Sequence, residues 1–293
     1  MSKYIVECIS NTNDLLGEGP IWVEEENSVY WIDIKRSIIH KLNIKNNKTD
    51  NWYFKESIGC IAYISNNIFV AGTKNGFQFV DLNKSKLTPI INPEKNCRKN
   101  RFNDGKCDNK GRFYAGTMND EDNEPTGNFY ILYNDLTYKK FDEGYEITNG
   151  PAFSNDNKII YFTDTRKGEI YFSELKDDGT LKEKQLFISI PSSEGKPDGM
   201  TIDAEDCLWV AIFGGSCVNR YNKKGKKIDK IKMPVSCITS CVFGGKNLDT
   251  LFITTASFKL NDQQKLAEPF AGSLFKVRLN IKGNKTKKFI KKN

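Results

Sequence analysis

One pattern of polar and apolar positions recurs along the whole chain. A polar or small residue stands four positions before an apolar residue, a turn follows, and an apolar strand then ends in small or polar residues. In one copy the leading segment is Arg101 to Gly105, the turn is Asp108 to Gly111, and the next strand is Arg112 to Thr117. A tight turn between two β-prone runs predicts a hairpin. A second strand pair follows in each copy, so each copy predicts a four-stranded sheet.

The pattern occurs six times, and in each copy the leading polar or small residue has the same phase. We call these the head residues: Glu18, Gly59, Asn103, Asn149, Asp198 and Thr239. Successive heads lie 41 to 49 residues apart, which is the spacing of four-stranded units in a β-propeller. The sequence therefore predicts an all-β protein, a six-bladed β-propeller that fills residues 1–293 as a single domain. One blade cannot bury its own faces, so we expect the N-terminal strand, Tyr4 to Ile9, to close the last blade beside Ser273 to Leu279.

The head residues indicate where the chemistry lies. The innermost strand of each blade runs beside the central channel, so its first residue is expected to point into one mouth of that channel. Two carboxylates, Glu18 and Asp198, and two carboxamides, Asn103 and Asn149, would converge there. Oxygen ligands of this kind suit calcium, magnesium or manganese, and less selectively zinc. Taken singly, Asn-Gly and Asp-Gly are more often turns than ligands, but their identical phase in four repeats favours a site.

The composition excludes other kinds of chemistry. The single histidine, His40, lies in an outer-strand pattern, so we interpret it as structural; a Ser-His-Asp device would have to use it. No glycine-rich loop joins a strand to a helix in the manner of a phosphate-binding motif. The net charge of +7 comes from lysine-rich turns and a lysine-rich tail, which we interpret as solvated surface. Nucleic acid is not an expected partner, because these charges show no clustering on one face.

The N-terminal sequence lacks the apolar segment of a signal peptide, and no apolar run reaches the length of a membrane span. We therefore expect a cytoplasmic protein that binds no membrane. The eight cysteines have no zinc-binding spacing. They are expected to be reduced and mostly buried, with a disulfide framework as the alternative. Closed blades leave few free strand edges, which favours a monomer.

Six segments stand in the same order as the motifs of a known family: Leu16 to Pro20, Arg101 to Lys106, Ala115 to Met118, Thr148 to Pro151, Pro197 to Met200, and Thr239 to Gly245. With these segments the chain resembles the gluconolactonase family, which includes regucalcin (senescence marker protein) and bacterial sugar lactonases. The resemblance implies a six-bladed propeller, one divalent cation in the channel, and hydrolysis of a sugar lactone to the aldonic acid. Calcium is the first expectation for the cation, with zinc, manganese, magnesium or iron as alternatives.

Residue by residue, the resemblance implies that Glu18, Asn149 and Asp198 bind the metal and that Arg101 and Asn103 contact the substrate. It also implies a substrate contact from Glu121, for which the neighbouring Asp120 or Asp122 could substitute. Asp198 would be the general base or would position a base-activated water, and Arg101 would hold substrate oxygens. The alternative is a calcium-binding regulator of the regucalcin type without lactonase turnover, in which Arg101 and the acidic loop have no purpose. A scaffold for protein partners is a third reading, and it leaves the polar channel mouth unexplained.

Overall fold

The computed structural model describes residues 3–121 and 124–292. These residues form 24 strands in six four-stranded sheets, and the sheets form a six-bladed β-propeller, which confirms the predicted fold class. Helical structure in the described residues is confined to two 3₁₀ turns, Glu24–Glu26 and Ser192–Glu194, and one short helix, α1 (Asp262–Ala267). This helix lies in the segment from Leu260 to Ala271.

The strands follow one another along the chain in the predicted order. They are β1 (Val6–Ser10), β2 (Gly17–Val23), β3 (Ser28–Asp33), β4 (Ile38–Asn43), β5 (Lys48–Tyr53), β6 (Ile58–Ser65), β7 (Ile68–Thr73), β8 (Gly76–Asp81), β9 (Lys86–Ile91), β10 (Asn100–Cys107), β11 (Phe113–Asn119), β12 (Gly127–Leu132), β13 (Tyr138–Tyr145), β14 (Thr148–Phe153), β15 (Ile159–Asp164), β16 (Glu169–Glu174), β17 (Gln185–Ser189), β18 (Lys196–Ile202), β19 (Leu208–Phe213), β20 (Cys217–Tyr221), β21 (Lys227–Lys232), β22 (Ile238–Gly244), β23 (Thr250–Thr255) and β24 (Leu274–Arg278).

The chain divides into two compact units. The first unit comprises Met1–Asn51 and Ile190–Thr286, and it holds the sheets β2-β3-β4-β5, β18-β19-β20-β21 and β1-β24-β23-β22, apart from the last two residues of β5. The second unit comprises Trp52–Ser189 and Lys287–Asn293, and it holds the sheets β6-β7-β8-β9, β10-β11-β12-β13 and β14-β15-β16-β17. The assignment of the whole chain to a single domain stays a prediction.

The N-terminal strand completes the last sheet, as expected. β1 pairs antiparallel with β24, with Val6 opposite Val277 and Cys8 opposite Phe275. Residues from the two ends of the chain therefore share one sheet of the first unit. The expected strand, Tyr4 to Ile9, was placed two residues too early at its start.

Every first strand of a sheet carries one extra residue at its head. In β2 the pairing steps from Glu18 to Ile21, whereas the partner strand β3 steps only from Ile32 to Tyr30. The same irregularity falls at Ile58/Cys60 in β6, Phe102/Gly105 in β10, Asn149/Ala152 in β14, Pro197/Met200 in β18 and Ile238/Ser240 in β22. A β-bulge of this kind leaves a residue outside the hydrogen-bond ladder and redirects its side chain. The heads that lie inside the bulge, and so outside the ladder, are Gly59, Asn103, Asp198 and Thr239. Glu18 and Asn149 are instead the last paired residues before their bulges, opposite Ile32 and Thr163.

The C-terminal tail contributes to the core of the second unit. Phe289 is 2% exposed and belongs to an aromatic cluster that includes Phe77, Phe102 and Phe113. Its backbone N–H donates to the Tyr63 carbonyl at 2.9 Å. A tail that the sequence presents as solvated lysines therefore carries one residue that packs behind the strand bearing Arg101 and Asn103.

The cysteine side chains are all free thiols, as expected. Six of the eight are buried, Cys8 is half-buried and Cys97 is exposed. Burial raises the pKa of the Cys107 thiol well above its usual value, so this group stays protonated at neutral pH. Within residues 3–121 and 124–292, no helix has the length and apolar character needed to cross a membrane.

His40 lies in β4 of the first unit, buried and stacked on Trp31 with ring centroids 4.9 Å apart. Its Nε2 lies 3.1 Å from Asp14 Oδ1, and its Nδ1 lies 2.7 Å from Asn51 Oδ1. Because both ring nitrogens face oxygen atoms, the arrangement suits the doubly protonated imidazolium. Burial alone would lower the pKa of His40, but the Asp14 carboxylate and Asn51, with a further contribution from Asp33, raise it above its usual value.

The raised pKa of His40 predicts a pH dependence of stability. Because the folded state holds this proton more tightly than the unfolded state, the stabilisation is fully present below about pH 6.5 and is lost as the pH rises through the folded-state pKa. The free energy of unfolding of the wild type minus that of His40→Gln should therefore shrink as pH increases from 6 to 9, measured by urea denaturation. A pH-independent difference between the two proteins would contradict the imidazolium. The chain has only one histidine, so no second imidazole confuses the comparison.

Candidate functional site

Three predicted site residues of the second unit form one hydrogen-bonded chain. Arg101 Nη1 donates to Asn103 Oδ1 at 2.7 Å, and Asn103 Nδ2 donates to Asn149 Oδ1 at 3.0 Å. Asn103 Nδ2 also donates to the Thr148 carbonyl at 2.7 Å, and Asn149 Nδ2 donates to Thr165 Oγ1 at 2.8 Å. Arg101, Asn103 and Asn149 are each less than 7% exposed. The heads of β10 and β14 are therefore brought together as the repeat phase predicts, and their side chains are fixed in one orientation.

The guanidinium of Arg101 is held from a second side by an acidic residue. Arg101 Nε donates to Asp120 Oδ1 at 2.8 Å, and Nη1 also donates to the Phe102 carbonyl at 3.0 Å. Among the described residues, Nη2 makes no hydrogen bond. Because Nε and Nη1 are committed to protein oxygens, Nη2 is the nitrogen that can serve a ligand.

The acidic side chains of the loop after β11, Asp120 and Glu121, pair with different cationic residues. Asp120 lies on Arg101, whereas Glu121 is more than half exposed and pairs with Lys99 Nζ at 3.0 Å. Glu121 also raises the pKa of Lys99 through this hydrogen bond. Asp122 lies outside the described residues. The substrate contact assigned to Glu121 stays a prediction, and Asp120 is the acid of this loop that adjoins another predicted site residue.

Asp104 is a buried carboxylate that the sequence reasoning did not select. It is 3% exposed; Oδ1 accepts from the Gly105 N–H at 2.7 Å and Oδ2 from the Gly150 N–H at 3.0 Å. Burial raises the pKa of this carboxyl group, while Lys106 and the two backbone N–H groups oppose the rise. A signal was present in the sequence, because the residue after the head is Gly, Cys or Ser in the other five copies.

The first unit contributes the two predicted acidic ligands. Glu18 lies in β2 at 4% exposure, and its Oε2 accepts from the Gly19 N–H at 3.0 Å. Asp198 lies in β18 at 6% exposure, inside the bulge between Pro197 and Met200. Both carboxylates stand at the bulged heads of first strands, where the repeat pattern predicts them.

The two remaining heads are not built for binding. At Gly59 an added Cβ would lie 2.2 Å from the Phe102 carbonyl oxygen, so the position admits no side chain. Thr239 is fully buried, and its Oγ1 donates to the Gly17 carbonyl at 2.5 Å. The oxygen-rich heads are thus Glu18, Asn103, Asn149 and Asp198.

In the part of the chain that the structure describes, no group of three or more His, Cys, Asp or Glu side chains is arranged to hold a metal ion. The predicted set contains two such residues, Glu18 and Asp198, and completes its shell with the Asn149 amide. Metal binding by this set stays a prediction.

A comparison with protein families gives a match over residues 16–257 to the SMP-30/gluconolactonase/LRE-like region. The chain belongs to this family. The match includes all six heads, and the SMP-30/gluconolactonase family assignment confirms the resemblance seen in the sequence.

Individual members of the SMP-30/gluconolactonase family match almost the full chain. The putative sugar lactone lactonase YvrE of Bacillus subtilis is 34% identical, with 94% of each chain covered. Regucalcin of Danio rerio is 33% identical, with 97% of each chain covered. Among solved structures, the calcium-binding protein regucalcin from Agrobacterium tumefaciens superimposes with a TM-score of 0.94 at 25% identity and covers 98% of this chain and 97% of its own.

Proposed function

We propose that this protein is a divalent-metal-dependent lactonase that hydrolyses a sugar lactone to the aldonic acid. Membership of the SMP-30/gluconolactonase family supports lactone hydrolysis in general. The observation that carries the proposal further is the fixed chain from Arg101 through Asn103 to Asn149. It joins a cationic hydrogen-bond donor to an amide of the predicted metal shell, so a substrate held by Arg101 would lie beside the predicted metal position.

The donor chemistry of Glu18, Asn149 and Asp198 fits a hard divalent cation. All three side chains are buried and offer oxygen atoms. The Asn149 amide N–H donates to Thr165 Oγ1, and its carboxamide oxygen accepts from Asn103 Nδ2, which leaves the second lone pair of that oxygen for the cation. Calcium is proposed first because relatives include a protein named as calcium-binding. When bound, such a cation polarises a carbonyl group and lowers the pKa of water.

The protein's own residues would perform the remaining work. Asp198 accepts a proton from the attacking water, whose oxygen bonds to the lactone carbonyl carbon. The ring C–O bond then breaks, and the same proton passes to the departing ring oxygen to give the hydroxy acid. Arg101 Nη2 donates to an oxygen of the sugar ring or its substituents. Asn103 is hydrogen-bonded to both the Arg101 guanidinium and the Asn149 amide and fixes their relative positions. A substrate held by Arg101 is therefore oriented before the reaction.

A calcium-binding regulator without turnover is the second candidate, because regucalcins are among the relatives. Both functions use the same ligands and differ in the need for Arg101. Release of acid from gluconolactone, galactonolactone, arabinolactone and xylonolactone, with and without EDTA, tests the choice. Turnover that EDTA abolishes and Ca²⁺ restores supports the lactonase. Calcium binding with no turnover on any lactone favours the regulator.

Replacement of Arg101 by alanine should retain the metal and reduce lactone turnover. The cationic side chain cannot ligate a metal, and a charge-assisted hydrogen bond to substrate is worth about 1.5–3 kcal/mol. We therefore expect kcat/KM to fall about 10- to 100-fold, while the metal content, measured by plasma emission spectrometry, stays near the wild-type value.

Arg112→Ala is the matched control for Arg101→Ala. Arg112 is equally buried, but it lies in the turn between β10 and β11, where it pairs with Asp108 at the opposite end of β10. Its loss should lower the melting temperature and leave kcat/KM unchanged. Wild-type activity in Arg101→Ala would remove this residue from the substrate site.

A further inference from the structure

Two consecutive side chains of β10, Asn103 and Asp104, form hydrogen bonds with the same short segment of β14, residues 148–150. Asn103 Nδ2 donates to the Thr148 carbonyl and to Asn149 Oδ1, and Asp104 Oδ2 accepts from the Gly150 N–H. Consecutive side chains in a regular strand point to opposite faces. The bulge between Phe102 and Gly105 removes this restriction, so both residues reach the neighbouring sheet.

The Gly150 N–H needs a partner because of a second bulge. The pairing of β14 with β15 steps from Asn149 to Ala152, which takes Gly150 out of the ladder. Its φ of 80° is a left-handed conformation that suits glycine. A buried backbone donor without an acceptor is costly, and Asp104 supplies that acceptor.

An acidic residue directly after the head is found in only one of the six copies, the one with Asp104. The residues that follow the heads in the other five copies are Gly19, Cys60, Gly150, Gly199 and Ser240. None of them is acidic, although every first strand carries a bulge at or next to its head. Burying a charged group in a protein interior is unfavourable unless something is gained. Asp104 therefore serves a need that is specific to the junction of β10 and β14.

We infer that Asp104 is a positioning residue that fixes the Asn149–Gly150 peptide, so that the Asn149 carboxamide oxygen is held ready for the cation. Three contacts then determine the placement of Asn149. Asp104 fixes the main chain after it, while Asn103 and Thr165 fix the two ends of its amide group. This inference rests on the proposed function, because it takes Asn149 as a metal ligand.

The inference predicts the behaviour of Asp104→Asn. The new amide matches the old carboxylate in shape, but it turns an N–H group toward one of the two backbone N–H donors. Residues that orient metal ligands typically change metal affinity by about 10- to 100-fold when they are lost. We expect the Ca²⁺ dissociation constant, measured by isothermal titration calorimetry, to rise by about 10-fold or more. Hydrogen exchange at the Gly150 amide should accelerate in the same variant without added metal.

Two further variants keep the test decisive. Asp108→Asn removes an equally buried carboxylate that accepts from the backbone N–H groups of Lys110 and Arg112 at the far end of β10. It should lower the melting temperature yet leave Ca²⁺ affinity and Gly150 exchange unchanged. If Asp104→Asn does not fold, Asp104→Ser provides the residue that the last copy carries at this position, and the same losses are expected.

The outcomes separate the inference from the function on which it rests. Wild-type Ca²⁺ affinity or unchanged Gly150 exchange in the Asp104 variants overturns the positioning role, whatever the protein's activity. A wild-type protein that binds no divalent cation and opens no lactone overturns the proposed function, and the positioning role with it. Weakened Ca²⁺ binding and faster exchange confined to the Asp104 variants support the inference.

Discussion

Asp198→Asn is expected to lower lactone turnover by about 10²–10⁴-fold, the usual contribution of a general base. Asparagine keeps the shape of the side chain and one ligand oxygen but removes the charge and the basic site. Asp198 lies in a bulge rather than in the regular ladder of β18, so the fold should be unaffected. The affinity for Ca²⁺ should fall far less than kcat, which is measured at saturating lactone and saturating metal.

The control for Asp198→Asn is Asp203→Asn, at the residue that follows the other end of β18. Asp203 is fully buried, and it accepts from the Cys207 N–H at 3.0 Å and from Trp209 Nε1 at 2.9 Å. Its replacement should destabilise the protein and leave kcat intact. If excess Ca²⁺ restores the rate of Asp198→Asn, the residue is only a ligand. The base would then be sought in the acidic loop, first at Asp120 and Glu121.

Phe289→Ala is expected to lower the free energy of unfolding by about 3–5 kcal/mol, which is the usual cost of truncating a buried phenylalanine to alanine. The ring belongs to the cluster that contains Phe77, Phe102 and Phe113. Phe77 and Phe102 are in direct contact, with centroids 4.4 Å apart. Alanine would leave a cavity directly behind the strand that carries Arg101 and Asn103. Urea denaturation at constant pH measures the loss.

Ile290→Ala is the matched control in the same tail. Ile290 is 55% exposed, so its truncation should cost much less than that of Phe289. A loss below about 1 kcal/mol for Phe289→Ala, comparable with an ordinary surface substitution, would show that the tail is dispensable to the core.

The repeat pattern was sufficient to predict the sheets. Alternation, turn residues and spacing are local properties, so they predict six four-stranded units and the closing strand beside β24. The tail shows where local pattern fails. Phe289 is a single aromatic residue in a lysine-rich tail, with Lys288 before it and Ile290 after it, and so short an apolar run has no period that indicates burial. Its position depends on residues far away in sequence: the Tyr63 carbonyl accepts from the Phe289 N–H, and the Gly111 carbonyl accepts from the Ile290 N–H.

The site was predictable in its residue types and less so in its contacts. The common spacing of Glu18, Asn103, Asn149 and Asp198 indicates the heads because position along a repeat becomes position in a blade. The structure corrects the identical phase by one residue, since Glu18 and Asn149 are paired before their bulges whereas Asn103 and Asp198 lie inside theirs. The pairing of Arg101 with Asp120 depends on the course of an irregular loop, which has no period. Asp104 was missed because its partner is a backbone N–H exposed by a bulge, and a bulge leaves no mark in the hydrophobic pattern.

The bulge at the head of each first strand also means that neighbouring residues of the same strand are under different evolutionary constraints. Residues within the ladder are constrained by pairing with the next strand, whereas a head inside the bulge, such as Asn103 or Asp198, can change without disturbing that pairing. Ligand chemistry can therefore diverge while the scaffold stays constant. Gly59 marks the limit of this freedom, because an added Cβ would collide with the Phe102 carbonyl oxygen. Thr239 is limited in another way, because it is fully buried and its Oγ1 donates to the Gly17 carbonyl, so a ligand there would have to replace an internal hydrogen bond.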